Sequence, residues 1–285
     1  QVKTAEENMA HFEFGWQSKD GLQFYAQEWR PDGDARAAVA LVHGLGEHSS
    51  RYEHVAKYFN EHGLGVVAMD HRGHGRTGGK RGHGSYDVIL EDIDHLLQET
   101  AQRYPAKPVF LYGHSLGGAL VLYYGLKRHP MIKGVICTSP GLIPAQDPGG
   151  KILLARVMSA LAPSFQIENG LDVSGLSHDT AVVKAYQADP LVHGKISARL
   201  GLDLIENGKW IIEHAAEYPL PLLLLQGSAD RLVNPAGAKQ FAPKVKDNFR
   251  FKLFDGWYHE LHNEVEKEIV LHEMVSWVDE QLART

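Results

Sequence analysis

The chain has 285 residues, of which 44% are hydrophobic, and its formal net charge is −6. This length suits one large domain or a domain with an insertion, and the acidic balance excludes a basic nucleic-acid-binding surface. The single cysteine, Cys137, excludes an intramolecular disulfide. The chain has no apolar run near the ~20 residues that span a bilayer. Together with the single cysteine, this predicts a cytoplasmic protein.

The first third of the chain alternates strand and helix patterns. Residues 11–29 predict a hairpin, since apolar residues recur at every second position before an Asp-Gly turn. Continuous apolar runs at 37–42 and 65–69 are typical of buried parallel strands. Apolar residues with helical spacing follow each run, at 49–62 and 86–104. This alternation predicts a mostly parallel sheet with helices on both faces.

The stretch at 108–118, PVFLYGHSLGG, predicts a sharp strand-to-helix turn. Residues suited to a buried strand run into Gly113-His114-Ser115-Leu116-Gly117, and an apolar helical segment follows. In this context a G-x-S-x-G pattern forms a nucleophile elbow. Glycine at positions 113 and 117 removes side chains that would collide with the backbone, so that Ser115 presents its hydroxyl at a strained bend.

The alternation lapses between residues 141 and 218, where helical stretches and loops predict no strand. Within this part, residues 151–161, KILLARVMSAL, are apolar around most of a helix. Such a helix must either be buried or present an apolar face to lipid or substrate. The alternation then resumes with strands at 220–225 and 249–254 and a closing helix at 264–282.

These patterns predict an α/β fold whose central, mostly parallel sheet has about eight strands flanked by helices. Residues 1–142 and 218–285 form the predicted core, and residues 143–217 form an inserted helical cap. Active sites of such sheets lie at the carboxyl ends of the strands. The cap is therefore expected to cover the edge where Ser115 lies.

A serine hydroxyl needs a base within hydrogen-bonding reach, and the base needs an orienting group. In the topology of a nucleophile elbow, the partners follow in the order Ser, then Asp or Glu, then His, each after a strand. Asp230 follows the strand at 220–225, and His259 follows the last strand. We therefore predict Ser115, Asp230 and His259 as a catalytic triad.

Two of these roles have competitors. His262 lies three residues from His259 and is the alternative base, while Asp255 and Asp203 are the alternatives to Asp230. Asp255 precedes His259 too closely to reach around its ring easily, and Asp203 falls in the predicted cap.

Backbone amides are the predicted donors to a substrate oxyanion. The Leu116 N–H begins a helix and has no partner within it, and the turn after the strand at 37–42 offers the Leu45 N–H. Among 17 histidines no convincing set of metal ligands is found, because His71 and His74 lack the companions of a zinc site. The prediction is an enzyme that needs neither a metal nor an organic cofactor.

Six motifs together resemble the monoacylglycerol lipase group of α/β-hydrolases, and related lysophospholipase-like serine hydrolases share much of the pattern. The motifs are HGLGEHSSRY (43–52), DHRGHGRT (70–77), GHSLGG (113–118), SPGL (139–142), GSADRLV (227–233) and YHELHNE (258–264). The resemblance implies an α/β-hydrolase fold, the Ser115–Asp230–His259 triad and an oxyanion hole from the Leu45 and Leu116 amides. Leu45 and Leu116 stand where the family often has Ala and Met. Because the donors are backbone N–H groups, these side-chain differences do not remove the oxyanion hole.

The same resemblance implies how a substrate is held. Glu47, Arg51 and His262 match the positions of a polar pocket for a glycerol head group. The family's apolar lid, which meets the membrane surface, corresponds to residues 151–161. The acyl chain is expected to lie under the cap, against Leu142, Ile143, Leu153 and Met158.

The expected function is hydrolysis of a monoacylglycerol to a fatty acid and glycerol through an acyl-enzyme. A lysophospholipase or a broad carboxylesterase is the close alternative, although no basic patch near the cap would anchor a phospholipid head group. An acyltransferase shares the acyl-enzyme and stays open, whereas a non-catalytic lipid-binding protein would not require the triad. The oligomeric state is left open.

Overall fold

The computed structural model describes residues 10–146, 149 and 151–284. The strands in this part of the chain are β1 Ala10–Gln17, β2 Gln23–Arg30, β3 Ala37–Val42, β4 Leu64–Met69, β5 Val109–His114, β6 Gly134–Thr138, β7 Gln166–Glu168, β8 Lys195–Ser197, β9 Leu222–Gly227 and β10 Phe249–Phe254. The α-helices are α1 Glu53–Glu61, α2 Tyr86–Arg103, α3 Leu116–Arg128, α4 Lys151–Leu161, α5 Thr180–Ala188, α6 Ala198–Glu213, α7 Ala236–Phe241 and α8 Lys267–Ala283.

Eight strands form one sheet in the order β1-β2-β4-β3-β5-β6-β9-β10. β2 pairs antiparallel with both β1 and β4, and the other neighbours are parallel. The strands β3, β4 and β9 are buried along their whole length, as expected for parallel strands covered on both faces. The predicted α/β fold with a sheet of about eight strands is confirmed.

Two apolar clusters cover the two faces of the sheet. Alternate residues of β3 enter different clusters, because successive side chains of a strand point to opposite faces. Helices α1 and α8 pack on one face, where Phe59 and Trp277 are almost fully buried. Helices α2 and α3 pack on the other face, where Leu96 and Leu120 are fully buried. The buried sheet therefore fixes the positions of the strand ends that carry the site.

Residues 143–217, called the insert below, connect the core elements β6 and β9. The described part of the insert holds α4, α5, α6 and the short strands β7 and β8. The expectation of no strand is wrong here, since Gln166 to Glu168 pair antiparallel with Lys195 to Ser197. Three residues are too few to show the alternation by which a strand is recognised in a sequence. The division of the chain at these boundaries stays a prediction.

Helix α4 turns an apolar face to the outside of the insert. It packs against α6, but Leu153 and Leu161 are 70% and 80% exposed, and Leu154 and Val157 are exposed as well. The alternative that this helix is buried is therefore wrong. No helix among the described residues is long and apolar enough to cross a membrane.

Candidate active site

Ser115 lies at the sharp bend between β5 and α3, with φ of 55° and ψ of −115°. This conformation is costly for a residue with a side chain and persists because the surroundings fix it. A Cβ on Gly113 would lie 2.3 Å from the Gly117 carbonyl oxygen, and one on Gly117 would lie 2.0 Å from that of Val42. Glycine is therefore required at both positions, and the half-buried Ser115 faces the carboxyl edge of the sheet.

The structure brings the three predicted triad residues together. The Ser115 Oγ lies 2.9 Å from the His259 Nε2, and the His259 Nδ1 lies 2.7 Å from the Asp230 Oδ2. Asp230 is itself fixed, since its Oδ1 accepts hydrogen bonds from the Leu232 and Val233 amides. The predicted nucleophile, base and orienting carboxylate thus form a continuous hydrogen-bonded line, as serine catalysis requires.

The charges in this line set the tautomer of His259. Burial alone would raise the pKa of Asp230, but the charge of His259 and its hydrogen bond lower it. The ionised carboxylate can only accept, so the His259 Nδ1 carries the proton and the Nε2 is free to accept from Ser115. Burial alone would lower the pKa of His259, but Asp230 and, more weakly, Glu260 raise it overall. The site therefore favours the protonated form of the His259 imidazole.

The loop that carries His259 is held from two sides. From the core, the Ser139 Oγ donates a 2.7 Å hydrogen bond to the His259 carbonyl oxygen. From the insert, the Gly175 carbonyl accepts from the His259 amide at 3.3 Å, and the Leu176 carbonyl accepts from the Glu260 amide at 2.7 Å. The roles of Ser139 and of these carbonyls cannot be found from the sequence, because nothing in a linear motif shows which backbone group will meet another loop.

The two predicted oxyanion donors flank Ser115. Leu45 and Leu116 line the same cavity as Ser115, and Leu116 begins α3, where amide groups have no partner within the helix. The preceding Gly44 amide donates to the Glu47 Oε1 at 2.6 Å. A Cβ on Gly44 would lie 3.2 Å from the Ser115 Cβ, so the turn at 44–45 approaches the nucleophile closely.

The competing residues lie outside this line. His262 is fully buried and its ring stacks on Tyr52 at 4.7 Å between centroids, while its two ring nitrogens have no hydrogen-bond partner among the described residues. Asp255 accepts from the Ser228 hydroxyl. Asp203 accepts from the Tyr86 amide and from Arg199. The hydrogen bonds of the Ser115 and His259 side chains thus go to each other and to Asp230.

A cavity of about 320 Å³ extends from Ser115 beneath the insert. Its apolar wall includes Leu45, Ile143, Leu171, Leu204 and Ile205, and its polar wall includes Asn169, Asp172 and Arg231. Of the residues expected along an acyl chain, the structure brings Ile143 to this cavity. Leu142, Leu153 and Met158 are not on its wall, because Leu142 packs into the core and Leu153 faces outward on α4.

A second, smaller compartment of about 20 Å³ also borders Ser115 and shares Leu45, Leu171 and Leu232 with the first cavity. It is lined by residues of the catalytic loops and of the insert, namely Gly44, Leu45, Glu47, His114, Ser115, Leu171, Val173, Leu176, Tyr186, Leu232, His259 and Glu260. Of the three expected head-group residues, Glu47 lies on this wall and Arg51 and His262 do not. The Arg51 guanidinium is turned to the buried carboxylates of Glu47 and Glu260, and a buried cation needs such counter-charges.

A larger cavity of about 510 Å³ lies between the β1–β2 turn and α2. Its basic side chains Arg72 and Lys19 are paired with Asp20, Asp92 and Glu91 of the same wall. It contains neither Ser115 nor a triad partner. The chemistry therefore points to the smaller cavities at the sheet edge.

Comparisons with known proteins show what this chain is similar to. The family described as serine aminopeptidase, S33, matches residues 33–266. A monoacylglycerol lipase of Mycolicibacterium smegmatis is 39% identical over 263 residues, which cover 90% of this chain and 93% of that protein. The human monoglyceride lipase is 33% identical, with 93% and 89% covered.

Among solved structures, that of the Paleococcus ferrophilus monoacylglycerol lipase superposes with a TM-score of 0.84 at 36% sequence identity. The match covers 90% of this chain and 99% of that one. The similarity thus extends over the core and the insert together.

Proposed function

Because the chain belongs to the serine aminopeptidase S33 family and is a serine hydrolase, we propose that it cleaves monoacylglycerols to a free fatty acid and glycerol. One observation carries the proposal: the Ser115 hydroxyl lies where a largely apolar cavity meets a small polar compartment. An ester whose carbonyl reaches Ser115 would have an apolar chain on one side and a short polar alcohol on the other. The relatives named monoacylglycerol lipases support the same substrate class.

In the proposed reaction, His259 accepts the Ser115 proton as the hydroxyl oxygen attacks the ester carbonyl. The Leu45 and Leu116 amides stabilise the oxyanion, and Asp230 stabilises the imidazolium. The imidazolium returns the proton to the departing glycerol and leaves an acyl-enzyme. Water then attacks the acyl-enzyme with His259 again as the base, and the fatty acid is released.

The two cavities divide the substrate between them. The acyl chain would occupy the larger cavity, along Ile143, Leu204 and Ile205, and the glycerol would lie toward Glu47. The polar compartment holds about one water molecule at its present size. Its outer wall comes from the insert, through Leu176 and Tyr186 among others. Binding of glycerol would therefore require this part of the insert to move outward.

The test is a comparison of mono-, di- and triacylglycerols that carry the same acyl chain, assayed with the wild type and with Ser115→Ala. We expect hydrolysis confined to the monoacylglycerol, and a loss of at least ~10⁴-fold in Ser115→Ala. A fluorophosphonate probe should label the wild type and leave Ser115→Ala unlabelled. Equal rates on triacylglycerols would contradict the proposed substrate, and an unlabelled wild type would favour a non-catalytic binding protein.

Charges near Ser115 bear on the lysophospholipase alternative. Arg51 is paired with Glu47 and Glu260, and Arg231 lies near Asp172 and donates to the Ser174 hydroxyl. Arg51 is thus neutralised by two buried carboxylates, and Arg231 is a single half-exposed cation rather than part of a basic cluster. We therefore expect lysophosphatidylcholine of matched acyl length to be cleaved more slowly than the monoacylglycerol, and the reverse order would favour the alternative.

The exposed face of α4 supports a second element of the proposal, which is peripheral contact with a lipid surface. The face comprises Leu153, Leu154, Val157 and Leu161, and exposed Phe165 and Ile167 follow it in the chain. Contiguous exposed apolar side chains of this kind mark an interaction surface. Because α4 covers α6, whose Leu204 and Ile205 line the larger cavity, contact there would bring lipid near the substrate cavity. A cytoplasmic location stays a prediction from the single cysteine.

Vesicle co-sedimentation tests this contact. The double substitution Leu153→Glu and Leu154→Glu should abolish binding to neutral phosphatidylcholine vesicles. The matched control is Val265→Glu with Ile269→Glu, which places two charges at exposed apolar positions outside the insert and should leave binding intact. Unchanged binding of the α4 variant would remove the proposed contact.

A further inference from the structure

Three buried charged side chains lie together beside the triad. The Arg51 Nη1 donates to the Glu47 Oε2 and, at 2.7 Å, to the Glu260 Oε1, while its Nη2 donates to the Glu260 Oε2 at 2.8 Å. The side chains of Glu47, Arg51 and Glu260 are 3%, 10% and 2% exposed. This Glu–Arg–Glu bridge spans 209 positions of sequence between Arg51 and Glu260.

Each end of the bridge is attached to a different catalytic loop. At one end, the Glu47 Oε1 accepts from the Gly44 amide at 2.6 Å, and Gly44 precedes the oxyanion donor Leu45. At the other end, Glu260 directly follows His259, and its Oε2 also accepts from the Asn263 side chain at 2.8 Å. Arg51 thus connects the loop that presents an oxyanion donor with the loop that presents the base.

We propose that Arg51, held between Glu47 and Glu260, is a positioning residue that sets the spacing of the Leu45 amide and the His259 imidazole around Ser115. The inference rests on the serine hydrolase chemistry of the proposed function but not on the identity of the alcohol. Transition-state stabilisation depends on donors and base being fixed within a fraction of an ångström. A bidentate arginine is suited to this task because its planar fork fixes direction as well as distance.

The charge pattern favours positioning over simple stabilisation of the fold. Burying three ions costs desolvation energy that their attraction does not reliably recover. Burial by itself lowers the pKa of Arg51, but the two carboxylates raise it well above its usual range. Burial raises the pKa of Glu260, but Arg51 lowers it far below its usual range. Arg51 and Glu260 are therefore both ionised, so the link at the His259 loop is a charged one, whereas burial raises the pKa of Glu47 against the charge of Arg51.

The same contacts leave little for a substrate head group to bind. The Glu47 carboxylate accepts from Gly44, Arg51 and the Tyr52 hydroxyl. The Arg51 guanidinium is covered by the ring of Tyr186 at 4.7 Å from the centroid. A head-group contact and a positioning role consequently predict different kinetics for a substrate that has no glycerol.

The experiment compares Arg51→Gln with Glu28→Gln on two substrates, p-nitrophenyl butyrate and a monoacylglycerol. Glu28 is a matched control, since its fully buried carboxylate bridges Arg30 and Arg103 and it lies on β2, which two other strands separate from β5. Active sites are counted with a fluorophosphonate. We expect Arg51→Gln to lower kcat per active site about 10–100-fold on both substrates, with KM changed much less. Glu28→Gln should lower the melting temperature and leave kcat per active site unchanged.

Three results would overturn the proposal. A raised KM for the monoacylglycerol with an unchanged kcat for p-nitrophenyl butyrate would make Arg51 a head-group residue. An unchanged kcat per active site on both substrates would make it structural, as would an equal loss in Glu28→Gln. If the wild type cleaves p-nitrophenyl butyrate but no monoacylglycerol, the proposed substrate is contradicted. The positioning role of Arg51 can still be tested on p-nitrophenyl butyrate.

Two further variants cover the case in which Arg51→Gln does not fold. Arg51→Lys keeps the charge without the fork and should retain a kcat between those of the wild type and the glutamine variant. Glu260→Gln removes one carboxylate while Arg51 keeps Glu47. It should lower kcat on both substrates and move the acidic limb of the pH profile to lower pH, because the Glu260 charge helps raise the pKa of His259. An unshifted limb with unchanged kcat would contradict the positioning role.

Discussion

Helices α3 and α4 are both rich in apolar residues, yet they lie in opposite surroundings. Every residue of α3 from Leu116 to Leu126 is buried, because α3 lies on β5 and β6 and is covered by α6. Helix α4 packs against α6, and four of its large apolar side chains are 45–80% exposed. The difference shows that the position of a helix in the chain topology, and not its composition, decides which apolar face meets solvent.

The same difference separates the two tasks of the molecule. The core uses buried apolar side chains to fix strand ends, and those ends carry Ser115, Asp230 and His259. The insert forms much of the cavity wall and keeps apolar side chains at its surface. Substitutions in the two regions should therefore differ sharply, and three comparisons make this contrast measurable.

The largest effect is expected for two aspartates at the site, one from each region. Asp230→Asn keeps the shape of the side chain but removes the charge that fixes the His259 tautomer, and should lower kcat about 10⁴-fold. Asp172→Asn changes an exposed carboxylate that lines the cavity from the insert, and should alter kcat by about twofold or less. Steady-state kinetics on one ester measures kcat for both variants. Equal losses of kcat would contradict the expected difference between the core and the insert.

A smaller effect is expected for leucines on the two helices themselves. Leu120→Ala on α3 empties a fully buried position and should lower the free energy of unfolding by about 2–5 kcal/mol. Leu153→Ala on α4 shortens a side chain that is 70% exposed. It should change the free energy of unfolding by about 0.5 kcal/mol or less. Denaturant unfolding monitored by circular dichroism checks both values, and a large loss at Leu153 would mean that α4 is covered.

The smallest effect concerns pH. Since Asp230 and Glu260, against the effect of burial, raise the pKa of His259 above the ordinary value of 6.5, more of the base is protonated and inactive at pH 6.5 than in an isolated histidine. The acidic limb of kcat/KM should therefore lie above 6.5 and fall about tenfold per pH unit below its midpoint. Vesicle binding through α4 should stay constant from pH 6 to 8, because its ionisable residues are Lys151 and Arg156. A limb below 6.5 would contradict the raised pKa.

Much of the core could be predicted because its signals are local. Apolar runs predict β3, β4 and β9 within two residues of their observed bounds, and the elbow glycines belong to a five-residue pattern that can be recognised without the fold. The order of Ser115, Asp230 and His259 follows from a sheet whose strands all end at one edge. Whether these three residues catalyse the reaction stays a prediction until the variants are assayed.

The insert could not be predicted to the same depth, because its structure depends on contacts distant in sequence. The strands β7 and β8 are too short for a periodic pattern, and the outward face of Leu153 depends on what packs against α4. Glu260 is a charged residue directly beside His259 in YHELHNE, and this position is the feature of the sequence that could have indicated its role near the site. Its partner Arg51 is more than 200 residues away, so the bridge becomes visible only in three dimensions.

The adjacency of β6 and β9 has a consequence for how this scaffold could diversify. These strands pair directly and in parallel, with Val135 opposite Leu222, so the chain leaves β6 at the carboxyl edge of the sheet and crosses back to the amino edge before it enters β9. A replacement segment of different length that keeps this return would leave the strand register unchanged, and chain-length preference could evolve separately from bond cleavage. To hold the His259 loop in the same way, the new segment would again have to provide two carbonyl groups that accept hydrogen bonds from it, as Gly175 and Leu176 do.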